Sequence, residues 1–219
     1  MNSAKLKVFI IIGLFMISHG LLKSRDDRAG KILDRLSEQT LSAPSVAIDF
    51  TFTVSSLRDD IMEDYDGRMT LKGEKYRISI TEMESWFDGT SIYTYMPDVN
   101  EIMISDPDEE GGLMSNPAKL FTIYREEFRY RLIGETIHSG TSLYEIDLHP
   151  VDLSHDFHTV KLFIDRNKYF LHSAVISGKD GNRYTFMVHN YDNRQEVPDS
   201  YFVFRKEDYP EVEIIDLRW

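Results

Sequence analysis

Hydrophobic and polar residues alternate through the middle of this chain. In Val46-Ala47-Ile48-Asp49-Phe50-Thr51-Phe52-Thr53-Val54 every second position is large and apolar. Successive side chains on a strand point to opposite faces, so Val46, Ile48, Phe50, Phe52 and Val54 share one side. Short runs of the same kind follow at 67–71, 76–80, 91–95 and 101–104. Turn residues separate them: Lys72-Gly73-Glu74, Asp88-Gly89 and Pro97-Asp98-Val99-Asn100. This spacing predicts an antiparallel meander with one apolar face. Later runs at 143–148, 158–164, 170–177, 183–189, 201–204 and 212–217 predict further strands.

Two segments carry helical spacing instead. Ala29, Ile32, Leu33 and Leu36 form one apolar stripe, with Ser24 as the expected cap, Asp27 three residues on, and Pro44 beyond the end. Asn116-Pro117 suits a helix start, and Leu120, Phe121, Tyr124 and Phe128 then fall on one face. With glycines just before it, that second helix fits a mobile lid and a plain core helix equally well. The whole reads as one α+β domain of about eleven antiparallel strands with two or more helices.

The first residues have a different character. Lys5 and Lys7 precede the apolar run from Val8 to Ile17, and Ser18-His19-Gly20 follows. A basic start, a short apolar middle and a small-residue exit predict a secretory signal peptide over residues 1–20, too short for a comfortable membrane span. The domain then occupies 21–219. The net charge of −12 argues against nucleic acid and anionic membrane surfaces as partners. The absence of cysteine excludes a disulfide framework, thiol chemistry and lipid attachment to an N-terminal cysteine.

No set of catalytic residues stands out. His155 and His158 lie three apart without a third ligand at metal-site spacing, and there is no His-Glu-x-x-His. Ser154-His155-Asp156 holds triad residue types as neighbours, whereas triads are assembled by the fold. The acidic loop Asp106-Pro107-Asp108-Glu109-Glu110-Gly111-Gly112 has oxygen ligands but not the spacing of a calcium loop. No metal, no cofactor and no enzymatic activity are expected. The candidate site is instead apolar: Phe50, Phe52, Leu71, Tyr76, Ile78 and Trp86 from the sheet, with Leu120, Phe121, Tyr124 and Phe128 from the second helix. Around 86–95 a one-residue slip would exchange the two faces.

Several segments, in order, resemble the periplasmic outer-membrane lipoprotein carrier family, LolA. They are Asp49-Phe50-Thr51-Phe52, the run from Gly67 to Arg77, and Asp88-Gly89-Thr90-Ser91-Ile92-Tyr93-Thr94-Tyr95 with Pro97. Asn116-Pro117-Ala118-Lys119-Leu120-Phe121 with Tyr124 and Phe128 also fits, as do Pro198-Asp199 and the run from Tyr209 to Arg218. The resemblance implies an unclosed antiparallel β-barrel with helices covering an apolar cavity. It implies a soluble periplasmic carrier, a monomer, that takes triacylated lipoproteins from an inner-membrane ABC lipoprotein-releasing complex to an outer-membrane acceptor. The family's lid-latching arginine would fall at about Gly73, with Arg68 and Arg77 nearest. Another apolar-ligand protein, or an envelope-stress regulator that binds a partner protein, would share such a half-barrel.

Overall fold

The computed structural model describes residues 26–56, 58, 60–107, 121 and 124–218. The expected leader, residues 108–112 of the acidic loop, the Asn116-Pro117 helix start and Leu120 lie outside the described residues.

The chain opens with α1 (Asp27–Leu41), and Asp26, not Ser24, caps it. One Asp26 carboxylate oxygen accepts from the amides of Arg28 and Ala29, at 2.9 and 3.1 Å. These are orphan donors at a helix start, which a short acidic side chain satisfies well. Ala29, Ile32, Leu33 and Leu36 are buried, as their spacing predicts.

Strands β1 (Val46–Ser56), β2 (Ile61–Lys72), β3 (Lys75–Ile80), β4 (Met83–Phe87), β5 (Ile92–Met96) and β6 (Glu101–Ser105) make the first half of the sheet. A one-turn helix, α2 (Tyr124–Glu127), leads directly into β7 (Phe128–His138). Then come β8 (Thr141–Pro150), β9 (Phe157–Asp165), β10 (Leu171–Gly178), β11 (Asn182–Asp192) and β12 (Glu213–Asp216). The twelve strands form one sheet in the order β12-β6-β5-β4-β3-β2-β1-β11-β10-β9-β8-β7. β11 returns to pair with β1, and β7 and β12 remain at opposite ends, so the barrel is unclosed.

Three expectations change. The run 201–204 is not a strand: residues Asp199–Phe202 form a 3-10 turn. β12 pairs parallel with β6 rather than antiparallel. Its chain arrives along the outer face of the sheet and so runs in the same direction as β6. Phe128 is not helical but the first residue of β7, since Phe128, Tyr130 and Leu132 alternate inward against Pro150, Leu148 and Ile146. Among the described residues no helix is long and apolar enough to cross a membrane.

α1 lies across the inner face. At its start the second Asp26 oxygen accepts from the amide of Leu132 in the edge strand β7, at 3.0 Å. Near its end the Tyr191 hydroxyl of β11 donates to the buried Thr40, at 3.2 Å. Fifteen helical residues span about 22 Å, close to the roughly 19 Å from β7 to β11 across four strand spacings. The helix thus roofs this half of the sheet, while Asp26 ties down an edge amide that would otherwise be open to pairing.

Candidate functional site

The inner face is built by alternation and register. On β1 it carries Ile48, Phe50, Phe52 and Val54, aligned with Met69, Gly67, Tyr65 and Glu63 on β2. On the other side the same residues meet Tyr191, Val188, Phe186 and Tyr184 of β11. Gly67 is required here: a Cβ would come within 2.6 Å of the Phe50 ring and 2.9 Å of the Ser79 carbonyl. Its absence lets the Phe50 ring lie across β2, with the Phe186 ring centred 4.3 Å away.

Burial falls off along β1. Ile48 and Phe50 are closed to solvent, whereas Phe52 and Val54 are half-buried. Phe52 stacks with Tyr184 at 6.1 Å, and Phe186 and Tyr65 flank it in register, all half-buried. Just beyond, Ile61 and Met62 are exposed, Met62 by 74%. The α1 end touches Tyr191, opposite Ile48, and the aromatic group begins four residues further along β1. An apolar interior therefore opens into an aromatic wall at the β1–β2 end of the sheet. The alternation of Tyr184, Phe186 and Val188 was visible in the sequence, but its alignment with Phe52 and Tyr65 comes only from the pairing of strands far apart in the chain.

Phe50, Leu71, Tyr76, Ile78, Phe121, Tyr124 and Phe128 join one apolar cluster with the buried stripe of α1, and Phe52 packs against it. Phe128 stacks on Phe157 and His155, with ring centres 6.1 and 6.5 Å apart. Burial pushes the Tyr76 phenol up to about 12, and its hydroxyl has no well-formed hydrogen bond among the described residues.

Trp86 goes elsewhere. In register it opposes Arg77 and Tyr93, while its neighbour Phe87 opposes Tyr76 and Ile92 on the inner face. Phe87 is the inward aromatic at this position, and Trp86 lies on the outer face. There it packs with Ile102, Ile104 and Val212 under the returning C-terminal segment. Phe204 and Tyr209 lie on its ring, at 5.8 and 5.7 Å between centres. Arg77 sits between the Trp86 and Tyr201 rings, and its Nη2 donates to both carboxylate oxygens of Glu84, at 3.2 and 2.9 Å. Lys72 and Lys75 clamp Asp199 of the same segment and hold its carboxyl down to about 2.

Among the described residues both candidate arginines lie on the outer face. Arg77 is engaged as above, and Arg68 pairs with Asp49 at 3.3 Å on the polar outer face. Gly73 sits in the β2–β3 turn at φ +57°. A different polar tie joins the helices. Asp34 of α1 accepts from the Tyr124 hydroxyl at 2.5 Å and from Arg125 Nη2 and Nε at 2.5 and 3.1 Å. Burial, and then the Asp34 carboxylate, push the Tyr124 phenol up to about 12, so it stays a donor. Sequence offered no signal for this tie, because its partners are ninety residues apart.

Among the described residues no three His, Asp or Glu side chains converge as metal ligands. His155 instead stacks against Phe157 at 5.1 Å. The arrangement offers apolar surface with a partly open aromatic end.

Solved structures share this architecture. A conserved protein from Thermus thermophilus aligns with a TM-score of 0.57 at 12% identity, over 86% of this chain and 99% of that one. A DUF1329 family protein from Desulfovibrio piger aligns at 0.52 and 11% identity, over 82% and 98%. A LolA superfamily protein from Nitrosomonas europaea aligns at 0.47 and 16%, over 80% and 97%. No curated protein sequence matches the chain. Residues 42–205, most of the chain, match the family model described as outer membrane lipoprotein carrier protein LolA. An unclosed half-barrel, an apolar inner face crossed by a helix, and that match lead to one conclusion: this chain belongs to the LolA family.

Proposed function

We propose that this protein is a periplasmic carrier that shelters the acyl chains of lipoproteins on its inner face between the inner and outer membranes. The observation that carries this reading is the aromatic wall of Phe52, Tyr184 and Phe186, half-buried and packed against the apolar interior, with Tyr65 beside Phe52 in register. Each CH₂ moved from water onto such a surface contributes about 0.8 kcal/mol. A long acyl chain can therefore be held by partial burial alone, and partial burial leaves a path for release. Residues 1–20 act as the export leader, and the mature domain starts near Leu21. The donor is an inner-membrane ABC lipoprotein-releasing complex, and the protein works as a monomer.

The test is mass spectrometry of lipids and lipoproteins that copurify with the native protein from the periplasmic fraction. Acylated lipoproteins should be recovered, bound to a chain that begins near Leu21. A lipid-free protein that also fails to bind a fluorescent acyl probe would overturn the reading.

A further inference from the structure

In this acidic chain one helix face carries a row of three cations. Arg28, Lys31 and Arg35 recur at helical spacing along α1 and are exposed. They form one wall of a groove of ≈ 370 Å³; Asp34, Tyr144 and Tyr169 line it too, with the buried Ile32 as its apolar lining. The Arg35 guanidinium lies 4.9 Å from the centre of the Tyr169 ring, and that of Arg166 lies 5.3 Å from the Tyr144 ring.

The carboxylates nearby are already engaged. Glu135 sits between Arg28 and Arg166, at 2.8 and 2.7 Å. Asp34 holds Arg125 and Tyr124. Lys31 and Arg35 have no carboxylate partner among the described residues. Among the described residues Arg28, Arg125 and Arg166 are therefore paired, and Lys31 and Arg35 are the cations of this group that lack an ion-pair partner, with Asp27 and Glu38 as the remaining acids of α1.

The groove also borders the apolar interior. Ile32 belongs to the α1 stripe packed on the apolar cluster. Tyr144 pairs with Ile164 and packs against the same cluster. A ligand with its anionic end at Lys31 and Arg35 would place an apolar tail beside Ile32 and Tyr144. We propose that this groove binds the anionic head, a phosphate or its equivalent, of an amphiphile whose tail occupies the inner face. The proposal rests on the carrier reading for the tail and on the basic groove for the head.

The experiment titrates the full-length protein at low salt and pH 7 with two ligands of equal chain length, dodecyl phosphate and the uncharged 1-O-dodecylglycerol, below their micelle concentrations. Inorganic phosphate is titrated in parallel. Two exposed charge contacts predict that dodecyl phosphate binds about tenfold more tightly than the neutral ether, a gap that shrinks with added salt. The double variant Lys31→Gln with Arg35→Gln keeps helix-compatible side chains and should remove the gap while leaving the ether's affinity unchanged. Equal affinities in the wild type, or a gap that survives in the variant, overturn the proposal and leave the carrier reading standing. Inorganic phosphate bound as tightly as dodecyl phosphate overturns it in favour of a free-phosphate site. Failure of both dodecyl ligands to bind overturns the carrier reading and the amphiphile together.

Discussion

Phe52 and Phe128 lie on the same apolar surface and should answer truncation in opposite ways. Phe128 is 1% exposed and stacked on Phe157 and His155. Removing its ring takes away the full transfer free energy and leaves a hole among close-packed neighbours, a loss of about 3–5 kcal/mol. Phe52 is partly exposed and packs mainly through Tyr184 and Phe186. Its truncation forfeits only part of the transfer free energy and leaves no closed cavity, so the loss should be about 1–2 kcal/mol. The order reverses for binding. A ring that offers an acyl chain roughly 50 Å² of apolar contact contributes about 1.2 kcal/mol, close to a tenfold change in affinity. The assay is urea unfolding of Phe52→Ala and Phe128→Ala followed by circular dichroism, paired with titration of a fluorescent acyl probe. Phe52→Ala should lose only about 1–2 kcal/mol and bind the probe several-fold more weakly. If Phe52→Ala loses as much stability as Phe128→Ala and binds the probe unchanged, the aromatic wall is ordinary core and the reasoning fails.

Other substitutions separate the remaining contacts. Trp86→Ala should cost about 3–5 kcal/mol in unfolding experiments because the ring is buried, yet leave probe affinity unchanged because it faces outward. Gly67→Ala places a methyl group against the Phe50 ring and should cost about 1–3 kcal/mol. Adding Phe50→Leu should make the pair less than additive in a double-mutant cycle. Asp26→Ala removes the cap of α1 and the acceptor for Leu132, a loss of about 1–2 kcal/mol at neutral pH. Burial raises the Asp26 carboxyl, but the amides of Leu132, Ala29 and Arg28 outweigh it and the net shift is downward. A carboxyl lowered on folding stabilises fully above its unfolded value and loses that effect as pH falls through its folded value. The Asp26→Ala difference should therefore persist at pH 5 and disappear in strong acid. Asp34→Ala should detach Tyr124 and Arg125 from α1 and increase proteolysis around α2 with little change in global stability, measured by limited digestion.

The inner face of β1 and the buried stripe of α1 are legible in local periodicity. Phe50 and Phe52 alternate with Thr51 and Thr53, and Ala29, Ile32, Leu33 and Leu36 repeat with the helical turn. Both periods are local, so no distant residue is needed to read them. Adjacent large hydrophobes defeat the same logic. Trp86-Phe87 satisfies either face, and only pairing with Tyr76 and Ile92 turned Phe87 inward. Phe128 fits a helix counted from Tyr124 and a strand counted to Tyr130. Pairing of β7 with β8 decided for the strand. The parallel seat of β12 on β6 follows from the path of the C-terminal segment across Trp86, Tyr93 and Tyr95. The Asp34 tie and the basic groove join residues about a hundred positions apart. Such features belong to the tertiary structure alone, because periodicity states which faces are apolar but not which of them meet.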